Sequence, residues 1–190
     1  MRILLLGNSF TFANDMPDML AELTGAEVTA HTRGGARLAE HLNPKTKMGA
    51  KTLAAPETER WDYVVLQEMS NAPAVSKEKF LLSAAALCEK IHAAGAVPVF
   101  YATWAYQKGH EKMNHFKLSY EEMYRQMTAA YHEAAEQNQA LIADVGTAFF
   151  ERSEQKLLYA EDGCHPNAAG SRLAAERIAE AIQLNQKEKD

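Results

Sequence analysis

An α/β fold built on a central parallel sheet is what this sequence predicts. Three observations lead there. Short apolar runs alternate with longer stretches of helical periodicity. The first, third and fourth runs lack strict polar–apolar alternation, so they belong to strands covered on both faces. The chain has 190 residues, enough for one domain with a proper core and little room for two.

The apolar runs fall at 2–6, 27–31, 62–67, 97–102 and 140–143. Between them the spacing predicts helices. One begins near Asp15, places Met16, Met19, Leu20 and Leu23 on one face, and ends at Gly25. The next follows Ser76, runs through Phe80, Ala84, Leu87, Cys88 and Ile91, and stops at Gly95. A third covers about 119–137, with Ser119 and Glu122 in a capping-box pattern. The last starts after Pro166, a good first-turn residue, and leaves a charged, frayed tail over 186–190. Residues 38–60 hold one or two short helices around an Asn43-Pro44 loop.

Strand–helix alternation with right-handed crossovers makes a three-layer sandwich. Five strands in one domain spanning 1–190 suggest the flavodoxin-like order 2-1-3-4-5. In such sheets the ligand sits at the carboxyl ends of the strands.

Composition narrows the class of function. The chain is 47% hydrophobic and 24% charged, with formal net charge −5, so no basic stripe invites nucleic acid. No apolar run is long enough to span a bilayer. The N-terminal run stops at Gly7-Asn8 with no small-residue cleavage site after it, and reads as a buried strand. These points place the protein in the cytoplasm. Cys88 and Cys164 are too few and too far apart for a disulfide framework or a metal clip and read as free thiols. No histidine pair has the His-Glu-x-x-His spacing of a zinc helix. No metal and no cofactor are expected.

Three loops at the carboxyl edge carry the residue types of acyl transfer. Gly7-Asn8-Ser9-Phe10-Thr11 puts a serine directly after strand one, near a helix start. By itself such a serine far more often shapes a turn than reacts. Gln67-Glu68-Met69-Ser70-Asn71 follows strand three and offers two side-chain amides able to donate to an oxyanion, or simply to form a turn before Pro73. Asp162-Gly163-Cys164-His165 precedes the last helix. There the carboxylate can fix the imidazole tautomer and leave its other nitrogen to take a serine proton. The bland alternative is a capping Asp and a surface His. Together the three loops supply nucleophile, base, orienter and oxyanion donors.

These blocks resemble the SGNH (GDSL-like) hydrolase family, and in the right chain order from 7 to 166. The resemblance implies Ser9 as nucleophile, with its N–H one oxyanion donor, and Asp162 and His165 as its partners. It places the family glycine at Gly35, with Gly34 the alternative. The usual third block is absent. Asn71 stands where the family asparagine falls, while the segment from Gln67 also resembles the Gln-Gly-Glu-Ser-Asn of sialate and xylan O-acetylesterases, so Gln67 and Asn71 both stay open as the amide donor. The implied activity is hydrolysis of short acyl esters, acetyl groups on carbohydrates foremost, through an acyl-enzyme. The partner is a small-molecule ester, with neither nucleic acid nor membrane. Activity should rise with pH through the ordinary His range, near 6.5.

Trp104 and Tyr106 follow strand four and can wall a substrate pocket or simply pack. Arg33 and Arg37 flank the glycine pair and can attract an acidic substrate. Asp144 reads as a cap, and residues 105–118 as a lid or an interface. Two rival functions are a flavodoxin-like phosphate or mononucleotide binder using the Ser9 loop, and a catalytically inactive member that binds a ligand.

Overall fold

A computed structural model describes residues 1–152 and 157–188. Its sheet has the order β2-β1-β3-β4-β5, with β1 Arg2–Gly7, β2 Glu27–Thr32, β3 Tyr63–Leu66, β4 Val97–Ala102 and β5 Leu141–Asp144. All four pairings are parallel. This is the α/β sandwich that the apolar runs predict.

Alternation along each strand builds two cores. Ile3, Leu5, Val65, Val99 and Tyr101 face one layer, formed by α2 (Met16–Thr24) and α9 (Ala168–Lys187). Leu4, Leu6, Val64, Leu66 and Phe100 face the other, formed chiefly by α6 (Lys77–Ala93) and α7 (Tyr120–Gln137). β1 and β3 lie mid-sheet, and their side chains are almost wholly buried on both faces, which is why they lack a polar face. The α7 capping box forms: Ser119 Oγ accepts the Glu122 N–H at 3.2 Å, and Glu122 accepts the Ser119 N–H at 2.8 Å.

Residues 38–60 contain α3 (Leu38–His41) and α4 (Lys47–Thr58). Three short helices escape periodicity: α1 (Ser9–Phe12), α5 (Ala72–Val75) and α8 (Val145–Glu151). Asp144 does cap α8, accepting the Thr147 N–H at 3.2 Å. Pro166 is not in the first turn of α9. Asn167 caps that helix through Gly170 N–H at 3.0 Å, while Pro166 pairs with Tyr159 in an antiparallel bridge. α9 then continues to Lys187, past the expected fraying point. Residues 189 and 190 lie outside the described residues. Among the described residues no helix is long and apolar enough to cross a membrane.

Candidate active site

β1 delivers Ser9 to the carboxyl edge through a turn with no room to spare. A Cβ on Gly7 would lie 2.3 Å from Thr11 Oγ1 and 2.6 Å from Gln67 Oε1, so only glycine fits. Asn8 is extended and caps α1, its Oδ1 accepting the Phe10 N–H at 3.1 Å. Ser9 is therefore the first residue of a helical turn, where the N–H has no intrahelical acceptor and is free to meet negative charge.

Three buried polar side chains lock the three loops to one another. The Asn8 amide donates to Ala36 O at 3.0 Å, joining the serine turn to the glycine turn. Gln67 Oε1 accepts both the Asn8 N–H and the Thr11 hydroxyl at 2.9 Å, joining the serine turn to the loop after β3. Glu68 accepts the Leu38 N–H at 3.3 Å and the Met69 N–H at 2.6 Å, joining that loop to the glycine turn. Burial raises the Glu68 carboxyl above its ordinary value.

The loop before α9 completes the constellation. Ser9 Oγ lies 2.9 Å from His165 Nε2. His165 Nδ1 lies 2.6 Å from Asp162 Oδ2. Asp162 Oδ1 also accepts the backbone N–H groups of Cys164 and His165, at 3.0 and 2.9 Å. The carboxylate thus shapes its own loop while orienting the ring. Burial opposes its ionisation. The hydrogen bonds from His165, from the two backbone groups and from Lys112 outweigh that and hold it well below the usual carboxylate range. This chain of contacts can pass the Ser9 proton to the imidazole.

Trp104 requires a correction. It is 1% exposed, stacked on Phe149 at 3.9 Å and on Phe10 at 4.8 Å. Its indole N–H donates to Cys164 O at 3.0 Å. It buttresses the His165 loop from within and offers no face to a substrate. Phe10 closes the stack with its edge toward the His165 ring, 5.4 Å between centroids.

The two amide candidates separate. Gln67 is 1% exposed. Its oxygen takes two donors and its N–H₂ donates to Glu68 O, so the expectation of an oxyanion donor there is corrected: Gln67 is a clamp. Asn71 sits at the start of α5, its Oδ1 3.5 Å from Ser70 Oγ. Among the described residues no acceptor lies within hydrogen-bond reach of its Nδ2, nor is that atom sealed from solvent. Gly35 takes a positive φ of 67° in the turn closed by Ala36 N–H to Arg33 O, 3.0 Å. Gly34 has no such requirement. Arg33 pairs with Glu40.

Residues 5–173 match the GDSL-like lipase/acylhydrolase family. The chain belongs to that family. A solved structure from Slackia heliotrinireducens, provisionally assigned as an SGNH hydrolase, is 54% identical, with TM-score 0.92 over 96% of this chain and 98% of that one. A DUF4886 family protein from Bacteroides uniformis is 22% identical, with TM-score 0.67 over 96% and 82%. A mutant of Axe2, an acetyl-xylooligosaccharide esterase from Geobacillus, is 16% identical, with TM-score 0.69 over 95% and 93%. The last two share the fold. No curated protein matches the chain.

As a GDSL-like hydrolase the chain departs from the usual pattern in its third block, where a buried Gln67-Glu68 pair does the bridging. Sequence reasoning missed Asn8, Thr11 and Glu68 as clamps, and Phe10 and Phe149 as supports. The signal available was polar residues beside the motif serine inside otherwise apolar strand ends. It also missed Lys112, whose Nζ lies 3.2 Å from Asp162 Oδ2. Residues 105–118 dock onto the His165 loop through Gln107 N–H to Gly163 O at 2.8 Å.

Proposed function

We propose that this hydrolase is a serine esterase that removes short acyl groups, acetyl foremost, through an acyl-enzyme. The observation that carries the reading is the unbroken contact chain from Ser9 Oγ through His165 to Asp162, at 2.9 and 2.6 Å. His165 accepts the hydroxyl proton as Ser9 Oγ attacks the ester carbonyl carbon. The N–H groups of Ser9 and Gly35 and the Asn71 amide receive the oxyanion. The tetrahedral centre collapses, the C–O bond to the alcohol breaks, and the imidazolium gives its proton to the leaving oxygen. Water, deprotonated by His165, attacks the acyl-enzyme and releases the acid and Ser9.

The acetyl preference rests on the likeness of residues 67–72 to carbohydrate O-acetylesterases. The same segment is tied to the chain after β4: the Tyr106 hydroxyl lies 3.1 Å from Ser70 Oγ and its ring leans on Phe116 at 5.3 Å. The small-molecule ester partner and the cytoplasmic setting belong to the same proposal.

Hydrolysis of p-nitrophenyl acetate and butyrate by the wild type and by Ser9→Ala tests it. The expected result is turnover by the wild type, faster on acetate, and background rates for the variant. An inactive wild type, or an equally active Ser9→Ala, overturns it.

A further inference from the structure

The segment after β4 brings a cation to the triad. Gln107 anchors it on Gly163 O at 2.8 Å. The His110 ring lies so close over Gly163 that a Cβ there would meet it at 2.3 Å. The His110 Nδ1 then accepts the Lys112 N–H at 3.3 Å and starts the 3-10 turn Glu111–His115. That turn places Lys112 Nζ 3.2 Å from Asp162 Oδ2, the same oxygen that faces His165 Nδ1 at 2.6 Å.

We propose that Lys112 is a positioning residue for the triad acid: it holds the Asp162 carboxylate against His165 and, by sharing its charge, keeps the imidazole in its proton-accepting form at lower pH. An unshared carboxylate would stabilise the imidazolium more strongly, and a base that is already protonated cannot take the Ser9 proton.

The other groups around the carboxylate do not supply this charge. Tyr106 lies on the same segment as Lys112, and burial raises its hydroxyl above the ordinary value. Cys164 lies in the loop itself, and burial pushes its thiol up to about 11. Both are neutral near pH 7. His110 spends its Nδ1 on the Lys112 N–H, Ser9 contributes a hydroxyl from α1, and the chain neighbours Glu111 and Glu161 are acidic. Lys112 and Asp162 are each a little over one-third exposed, at 37% and 39%. Solvent therefore weakens the coupling, the more so at high salt.

The kinetic consequence rests on the esterase reading; titration of the His165 ring does not. Lys112→Met keeps the aliphatic length and removes the charge, and Lys112→Arg restores the charge. The measurements are kcat/KM for p-nitrophenyl acetate across the histidine range at low and high salt, and NMR titration of the His165 ring signals in the same variants. The expected result is an acid limb and a His165 titration both displaced upward in Lys112→Met, less displaced at high salt, and returned by Lys112→Arg. Coincident His165 titrations for the wild type and Lys112→Met overturn the proposal. So does a lower kcat at every pH with an unmoved limb, since a merely structural lysine would give that. A wild type that hydrolyses no ester overturns the esterase reading alone, and the NMR displacement then decides the role of Lys112.

Discussion

The carboxamide oxygen of Gln67 lies 2.9 Å from the backbone nitrogen of Asn8, so the residue before Ser9 is held from the neighbouring strand. The same oxygen takes the Thr11 hydroxyl from the far side of Ser9. One buried side chain thus brackets Ser9. Gln67→Leu would leave two buried donors without an acceptor, each costing about 1–3 kcal/mol. The expected outcome is a lower urea midpoint together with a fall in kcat larger than any change in KM, because Ser9 and its N–H lose their fixed position. Unfolding curves and steady-state kinetics on one preparation check it. A Gln67→Leu protein as stable as the wild type would refute the clamp.

Asn71 should behave in the opposite way. If its amide meets the oxyanion, Asn71→Ala removes an interaction made only in the transition state. The expected loss in kcat is about 10²–10³-fold, with KM little changed. Asn71 Nδ2 bonds nothing among the described residues, so its loss strands no buried acceptor and should cost less stability than Gln67→Leu. Comparing the two variants separates donor from clamp. A kcat for Asn71→Ala within threefold of wild type (on the order of 0.7 kcal/mol) would assign the donor elsewhere.

The sheet and the residues of the Ser9–His165–Asp162 contact chain were legible in the sequence for physical reasons. β1, β3 and β4 are covered on both faces, so their apolar runs are continuous, and their order follows from the crossovers. Ser9, Asp162 and His165 are read from local blocks that fix local geometry. What was not legible is contact between distant segments. Trp104 follows β4, where a pocket wall and plain packing read alike, because the rings that bury it come from positions 10 and 149. Lys112 and Asp162 are 50 positions apart, with no periodicity to connect them. The helix α1 was missed because its four residues are set by the Asn8 cap, not by an apolar stripe.

The Trp104 stack gives a prediction of its own. Trp104→Ala would empty a fully buried indole site between Phe10 and Phe149 and leave Cys164 O without its donor. The expected cost is about 3–5 kcal/mol. Trp104→Phe fills part of the space but cannot donate to Cys164 O, so it should lose less stability. Its kcat should still fall, through the loosened His165 loop. Thermal melts and kinetics on the pair check this. A wild-type kcat for Trp104→Phe would show that the indole hydrogen bond does not position His165.

Beneath the serine turn, two buried histidines share one hydroxyl. His31 Nδ1 and His41 Nδ1 lie 3.3 and 3.1 Å from Thr52 Oγ1, with His31 5% and His41 0% exposed. Burial lowers both to about 4; Lys51 adds to the effect at His31, and His31 itself adds to it at His41. In the unfolded chain each would titrate near 6.5. The folded state therefore favours the neutral rings. Their contribution is fully present above pH 6.5 or so, declines as pH falls toward 4, and is spent below that. The ceiling is about 3 kcal/mol for each histidine. Asp162 has a depressed carboxyl, so its contribution is lost only at lower pH, and the two windows are distinct. The expected outcome is a wild-type urea midpoint that drops between pH 6.5 and 4, with a clearly shallower drop in His41→Leu. Parallel curves for the two proteins would show that the acid sensitivity arises outside this pair.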